Sequence, residues 1–254
     1  MAFHLRKHYL DLCTADGRVR IVYAARLRWG RVRLGYVSVL RDDGDGAHTT
    51  GSVRGVDDPT ATNAGLRLAV PSLGVSLDMQ RTLAGPSRRL FDTPDGTLDW
   101  DCHTLRADVT LHDRGERLVG TGYAETLTAT VAPWDLPFDA LWWGRAHTPD
   151  RALVWTVLEG PGAPAPVYAD GPTAIAEGTI DDAGVRVGDG AREAFVNARV
   201  LRTGRIGDTV LSAVPGIARF PGRILGLSET KRYARTASGG HAIYERVTWP
   251  ARHP

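Results

Sequence analysis

Residues 19–40, VRIVYAARLRWGRVRLGYVSVL, decide the fold class. Val19, Ile21 and Tyr23 fall two apart, the spacing at which side chains return to one face of a strand. Leu27 and Trp29 continue that face. Gly30 interrupts it, and Val32, Leu34 and Tyr36 resume it before Val37-Ser38-Val39-Leu40. Upstream, His8 to Cys13 alternates polar and apolar, and Ala15-Asp16-Gly17 is a turn signal. Three strands of an antiparallel meander therefore fit into the start of the chain.

The same style continues outward. Leu66, Leu68 and Val70 alternate, Pro71 ends that run, and Leu73, Val75, Leu77 and Met79 follow at period two. Further strands are expected over 98–103, from Leu105 through Leu111, over 118–123 and over 127–131. In the second half they are expected over 152–159, 185–187, 195–201, 209–214, 226–234 and 241–249. Residues 41–64, rich in Asp, Gly and Thr, and residues 84–96 read as loops. Nowhere is a 3.6-residue period sustained; 137–141 and 216–222 have room for a helical turn each. The pattern predicts an all-β chain closed as barrels or sandwiches.

Composition agrees. Of 254 residues 43% are apolar and 24% charged, which fits a globular chain, and 29 glycines with 15 prolines supply many tight turns. Only Lys7 and Lys231 are lysines, so arginine dominates the 31 basic residues, yet the net charge is only +2. That balance argues against a nucleic-acid partner. No apolar run approaches the ~18 residues of a membrane helix, and the N-terminus has no apolar signal-peptide core, so a cytoplasmic protein without stable membrane insertion is expected. Cys13 and Cys102 are read as two thiols.

Three clusters are chemically suggestive. Residues 120–159 hold Gly120-Thr-Gly122-Tyr123-Ala-Glu125, Pro133-Trp134, Leu141-Trp142-Trp143-Gly144-Arg145 and Trp155. Four of the seven tryptophans lie here, which suits either packing at a junction of sheets or an aromatic wall for a ligand. Glu125 shares a strand face with Tyr123; buried there it is a general-acid candidate, or it forms a structural ion pair with Arg145. In Asp99-Trp100-Asp101-Cys102-His103, strand alternation puts Asp99, Asp101 and His103 on one face. They form a solvated face, an acid/base relay or the polar floor of a cavity; a metal site is not expected without a further ligand spacing. Around Tyr244, His241 to Trp249 reads as a barrel-closing strand. No phosphate loop, Rossmann fingerprint or nucleophile elbow is present.

The segments Gly120-Thr-Gly122-Tyr123-Ala-Glu125 and Leu141-Trp142-Trp143-Gly144-Arg145 resemble two motifs of the lipocalin-like carotenoid 1,2-hydratases (hydroxyneurosporene synthases). With that family go AttH-like proteins and related terpenoid cyclases and Diels–Alderases. The resemblance implies two tandem calycin/lipocalin-like antiparallel β-barrel domains, taken as 1–145 and 146–254. It also implies a hydrophobic cavity near their interface and a terpenoid, polyene or polyketide ligand, and it maps the family acid onto Glu125. Where the hydratase motif continues His-Asn-Trp-Gly, this chain has Thr126-Leu127, so cyclisation, isomerisation or binding is implied rather than hydration.

The leading expectation is a cofactor-free cyclase or isomerase, a monomer or homodimer, acting on an apolar unsaturated small molecule. Glu125 is the acid, with Asp99, Asp101, His103 and Tyr123 as further catalytic candidates. Trp29, Trp100, Trp134, Trp142, Trp143, Arg145, Trp155 and Tyr244 are the substrate-binding candidates. A non-catalytic carrier needs the cavity without the acid. A carbohydrate-active enzyme needs Glu125 to face Asp99 or Asp101 across a cleft.

Overall fold

The computed structural model describes residues 2–54, 56–209 and 226–250. The chain divides into two units, 1–133 and 134–254. The first contains β1 (Phe3–Thr14), β2 (Val19–Trp29), β3 (Val32–Asp42), β4 (His48–Ser52), β5 (Thr60–Ala61), β6 (Gly65–Val70), β7 (Val75–Leu83), β8 (Ser87–Thr93), β9 (Gly96–Asp113) and β10 (Glu116–Ala129). The second contains β11 (Ala140–His147), β12 (Ala152–Glu159), β13 (Val167–Asp170), β14 (Ala174–Ile175), β15 (Gly178–Asp181), β16 (Gly184–Val187), β17 (Glu193–Arg205), β18 (Ser228–Thr236) and β19 (His241–Thr248). The one α-helical turn described is Ile206–Thr209. The fold is all-β.

Each unit winds one antiparallel sheet in the same order. The first reads β4-β3-β2-β1-β10-β9-β7-β6-β5, with β8 also on β9; the second reads β14-β13-β12-β11-β19-β18-β17-β16-β15. In both, the last strand returns to pair with the first. The sheets wrap because their apolar faces need a partner. Val22 and Val37 of β2 and β3 share one core with Leu68 of β6 and Leu77 of β7, far along the strand order. In the second unit Leu153 and Trp155 of β12 share a core with Val185 of β16 and Phe195 of β17.

The hairpin quoted at the outset forms as β2 and β3. Trp29 pairs with Val32 across Gly30-Arg31, and Gly30 takes φ 57°, the left-handed value that a tight hairpin turn requires. The division at 133/134 departs from the 145/146 boundary drawn from sequence. That boundary would cut β11, which pairs with β12 and with β19 over its whole length, from Ala140 to His147.

Two expected loops carry three short strands. β4 and β5 lie within 41–64 and β8 within 84–96. β4 (His-Thr-Thr-Gly-Ser) has no apolar residue to alternate, and β8 buries only Leu90. Backbone pairing rather than a core face holds them. The turn expected near 137–141 occurs earlier, as a 3-10 turn at Pro133–Asp135. The helical turn at 216–222 and all but Thr209 of the strand at 209–214 lie outside the described residues.

Candidate functional site

Two clusters in the first unit stand on opposite faces of the same strands. The first surrounds Glu125, 4% exposed on β10. Its Oε2 accepts a hydrogen bond from Tyr123 Oη at 2.7 Å and one from Trp100 Nε1 on β9. Tyr9, opposite Glu125 on β1, meets Tyr123 and Tyr23 edge-on with ring centroids 5.9 and 5.2 Å apart. Tyr9 also donates to Asp11 Oδ2 at 2.9 Å, and Asp11 Oδ1 accepts the Tyr123 backbone N–H at 3.1 Å. Burial pushes the Tyr123 hydroxyl well above its usual range, with the nearby Cys102 and Glu125 adding to the effect, so it stays a donor. Burial likewise raises the Cys102 thiol, which is inert by the same argument.

The glycines ahead of Tyr123 have a steric reason. A Cβ on Gly122 would stand 2.1 Å from the Asp11 carbonyl oxygen, and one on Gly120 2.1 Å from that of Cys13. Only glycine lets β10 come this close to β1. Gly144 plays a similar part in the second unit, where a Cβ would meet the Trp155 ring at 2.4 Å.

The second cluster lines the inside of the first barrel at one end. On β1, His4, Arg6 and His8 share the face that continues as Leu10 and Leu12 in the core. Thr126 and Thr128 pair with His8 and Arg6 on one side and with Asp101 and Asp99 on the other. Together with His103, Pro59, Ala61 and Leu66 these residues enclose a cavity of about 430 Å³, within the range of small-molecule sites. At the opposite end the interior is sealed by charge. Arg20 and Arg41 both donate to the buried Asp113 carboxylate, at 2.8 and 2.9 Å.

The structure thus brings Asp99, Asp101 and His103 into one cavity and places Tyr123, Glu125 and Trp100 on the other face of the sheet. This overturns the carbohydrate-active alternative, because Glu125 cannot face Asp99 or Asp101 across a cleft when alternation turns them to opposite sides. Within the second unit Trp142 packs against the core that holds Trp155 and Tyr244, and Trp143 faces the other way. Trp155 and Tyr244 are fully buried in the second barrel, both stacked on Phe195 at 6.0 and 4.6 Å. Trp142 and Trp143 are neighbours on β11 and so face opposite ways. Trp142 donates to Glu159 at 3.1 Å, and Trp143 lies under the Lys231 ammonium at 4.9 Å. Arg145, wholly buried on β11, donates to the His241 carbonyl at 3.3 Å. Trp29 ends β2 and Trp134 sits in the 3-10 turn, both half-buried.

Sequence reasoning did not single out His4, Arg6, His8, Thr126 or Thr128. The available signal was the switch from polar His4, Arg6 and His8 to apolar Leu10 and Leu12 along one strand face. Among the described residues no three His, Cys, Asp or Glu side chains are placed to hold a metal ion, and no helix is long and apolar enough to cross a membrane.

Two wound antiparallel sheets, one in each unit and each pairing its last strand with its first, define a lipocalin-like fold. The chain is similar in structure to CghA, with 10% identity and a TM-score of 0.51 over all of this chain and 90% of that one. Weaker likenesses are to a protein described as an AttH from Nitrosomonas europaea (12% identity, TM-score 0.48, 98% of this chain and 92% of that one) and to kievitone hydratase from Nectria haematococca (12%, 0.38, 97% and 89%). No family model and no curated protein sequence matches the chain. At these identities the likeness is one of fold.

Proposed function

We propose that the chain is a cofactor-free enzyme that cyclises or isomerises an apolar unsaturated small molecule, of terpenoid, polyene or polyketide type, with Glu125 as the proton donor. The observation that carries this reading is the Glu125 carboxyl itself, buried within an aromatic layer and held at Oε2 by Trp100 and Tyr123. The fold shared with CghA supports it as an analogy.

The two donors on Oε2 stabilise the carboxylate left when the Glu125 proton departs. The O–H bond of Glu125 breaks as an alkene π pair takes the proton, leaving a carbocation on the adjacent carbon. Faces of Trp100, Tyr123 and Tyr9 stabilise that charge. Attack by a second alkene forms the ring bond and moves the cation to that alkene's other carbon; loss of a proton beside the cation, with or without ring closure, then restores an alkene and returns a proton to Glu125. The net change is an isomerisation, so no oxidant, reductant or cofactor is consumed. The partner is the apolar substrate, in a cytoplasmic setting and without nucleic acid.

Extracts of the source organism incubated with the wild-type chain, with Glu125→Gln and with heat-inactivated chain test this reading. A compound converted to an isomer of equal mass by the wild type, and more than 100-fold more slowly by Glu125→Gln, is expected from about 10²–10⁴-fold acid catalysis. Equal conversion by Glu125→Gln removes Glu125 as the acid. An apolar compound that co-purifies and is never converted identifies a carrier.

A further inference from the structure

We propose that the mouth of the first barrel is a second small-molecule site, separate from Glu125, which takes a neutral polyhydroxylated ligand with an apolar flank. His8 carries the argument. It is 5% exposed and lines the cavity, yet its Nε2 has no hydrogen-bond partner. Its other nitrogen is fixed on Thr126 Oγ1 at 2.9 Å, which sets the ring orientation. The nearest carboxylate to Nε2, that of Asp58, is 3.8 Å away, too far for a hydrogen bond. Buried polar atoms are rarely left unmatched in a folded protein, and one at the wall of a cavity is matched by whatever enters.

The lining defines the chemistry. Its fixed charges are largely compensated: Asp99 is bound at 2.8 Å by Arg89, which it shares with Asp92, and Arg6 stands on the same lining as Asp101. Asp101 accepts from Ser87 at 2.6 Å. Burial is the main reason that both His8 and His103 lose basicity, so both rings are neutral near pH 7. A wall whose charges are largely compensated gives little preference for an anion or a cation. It offers carboxylates and imidazole nitrogens as acceptors, and Arg6, Thr126, Thr128 and imidazole N–H groups as donors. Hydroxyl groups, which donate and accept at once, match such a mixed set. Pro59, Ala61 and Leu66 add an apolar strip against which the C–H face of a polyol or sugar ring can lie.

The test uses the full chain and imidazole ¹H–¹⁵N spectra, titrated separately with myo-inositol, D-glucose, citrate, spermidine and geraniol at up to tens of millimolar. A saturable shift of the His8 ring signals with myo-inositol or D-glucose is expected, and none with the other three. Asp101→Leu, at an exposed position, should weaken that shift at least tenfold, whereas Glu125→Gln should leave it unchanged. Because Glu125→Gln reports on the proposed reaction and Asp101→Leu on this site, either idea can fail without the other. The absence of a saturable His8 shift with both polyols, or a shift with citrate, spermidine or geraniol instead, overturns the proposal.

Discussion

The two barrels share one strand order and fill their interiors differently. In the first, aliphatic side chains such as Leu10, Leu12, Val22, Val39 and Val109 occupy the middle, with a salt-bridged end at Asp113 and a polar open end at His8. In the second, Trp155, Phe195, Tyr168 and Tyr244 crowd the core. Strand length accounts for much of the contrast. β1, β2 and β3 run 12, 11 and 11 residues, whereas β11, β12 and β13 run 8, 8 and 4. At ~3.3 Å per residue, the longer strands outrun their apolar core, and the surplus at the start of β1 becomes a mouth. The outer faces differ in kind as well. Glu125 on β10 and Glu245 on β19 stand opposite Tyr9 and Trp143 in equivalent registers. Yet β9 and β10 bring the neutral donors Trp100 and Tyr123 to Glu125, whereas β18 brings the Lys231 ammonium to Glu245. The indole and phenol donors at one carboxyl and the ammonium at the other set the two outer faces apart.

Substitutions can break this contrast. The largest effect is expected at the sealed end of the first barrel, where Asp113→Ala takes from two buried guanidinium groups the carboxylate they share, although Arg20 keeps Asp43. A loss of about 3–5 kcal/mol in urea denaturation is expected. A loss under 1 kcal/mol would show that the end is open to water.

In the second barrel, Trp155→Ala should cost ~3–5 kcal/mol. Trp155→Phe should cost clearly less, because it keeps the stack on Phe195 and removes an indole N–H that has no partner. Equal losses would argue against a stacked filling.

Acid separates the barrels next. Burial, with Arg6, His103 and Arg26 repelling and Asp58 attracting, holds His8 down at about 4. Between pH ~6.5 and ~4 the unfolded chain binds a proton at His8 that the folded chain refuses. Stability contributed by this site is therefore present above pH ~6.5 and is lost as pH falls towards 4, by about 3 kcal/mol in all. His8→Gln should flatten that part of the pH–stability curve, and an unchanged slope would refute the assignment. The smallest effect is expected from Gly144→Ala, whose new Cβ presses on Trp155 and Tyr244 and should cost ~1–3 kcal/mol.

Much of the fold was legible because it rests on local alternation. The run from Val19 to Leu40 gives β2 and β3 with their turn, since side chains two apart must share a face. β4, β5 and β8 were not legible, because strands held by backbone pairing alone leave no apolar rhythm. The candidate sites divide in the same way. That Asp99, Asp101 and His103 share a face is a property of one strand and could be read directly. Their meeting with His8 and Thr126 depends on the register of β1, β10 and β9, set by contacts across more than a hundred residues of chain. The tryptophans divide for a related reason. Clustering in sequence says nothing about facing, and Trp142 and Trp143 are adjacent precursors of two different surfaces.

Solvent isotope incorporation tests the proposed role of Glu125 as proton donor most directly. Once a substrate has been found by the extract comparison, its conversion in D₂O by the wild-type chain should place one non-exchangeable deuterium in the product. Glu125→Gln should form product at least 100-fold more slowly. A product formed in D₂O at the full wild-type rate with no deuterium on carbon would contradict the claim and assign the chemistry to a pericyclic step shaped by the site alone.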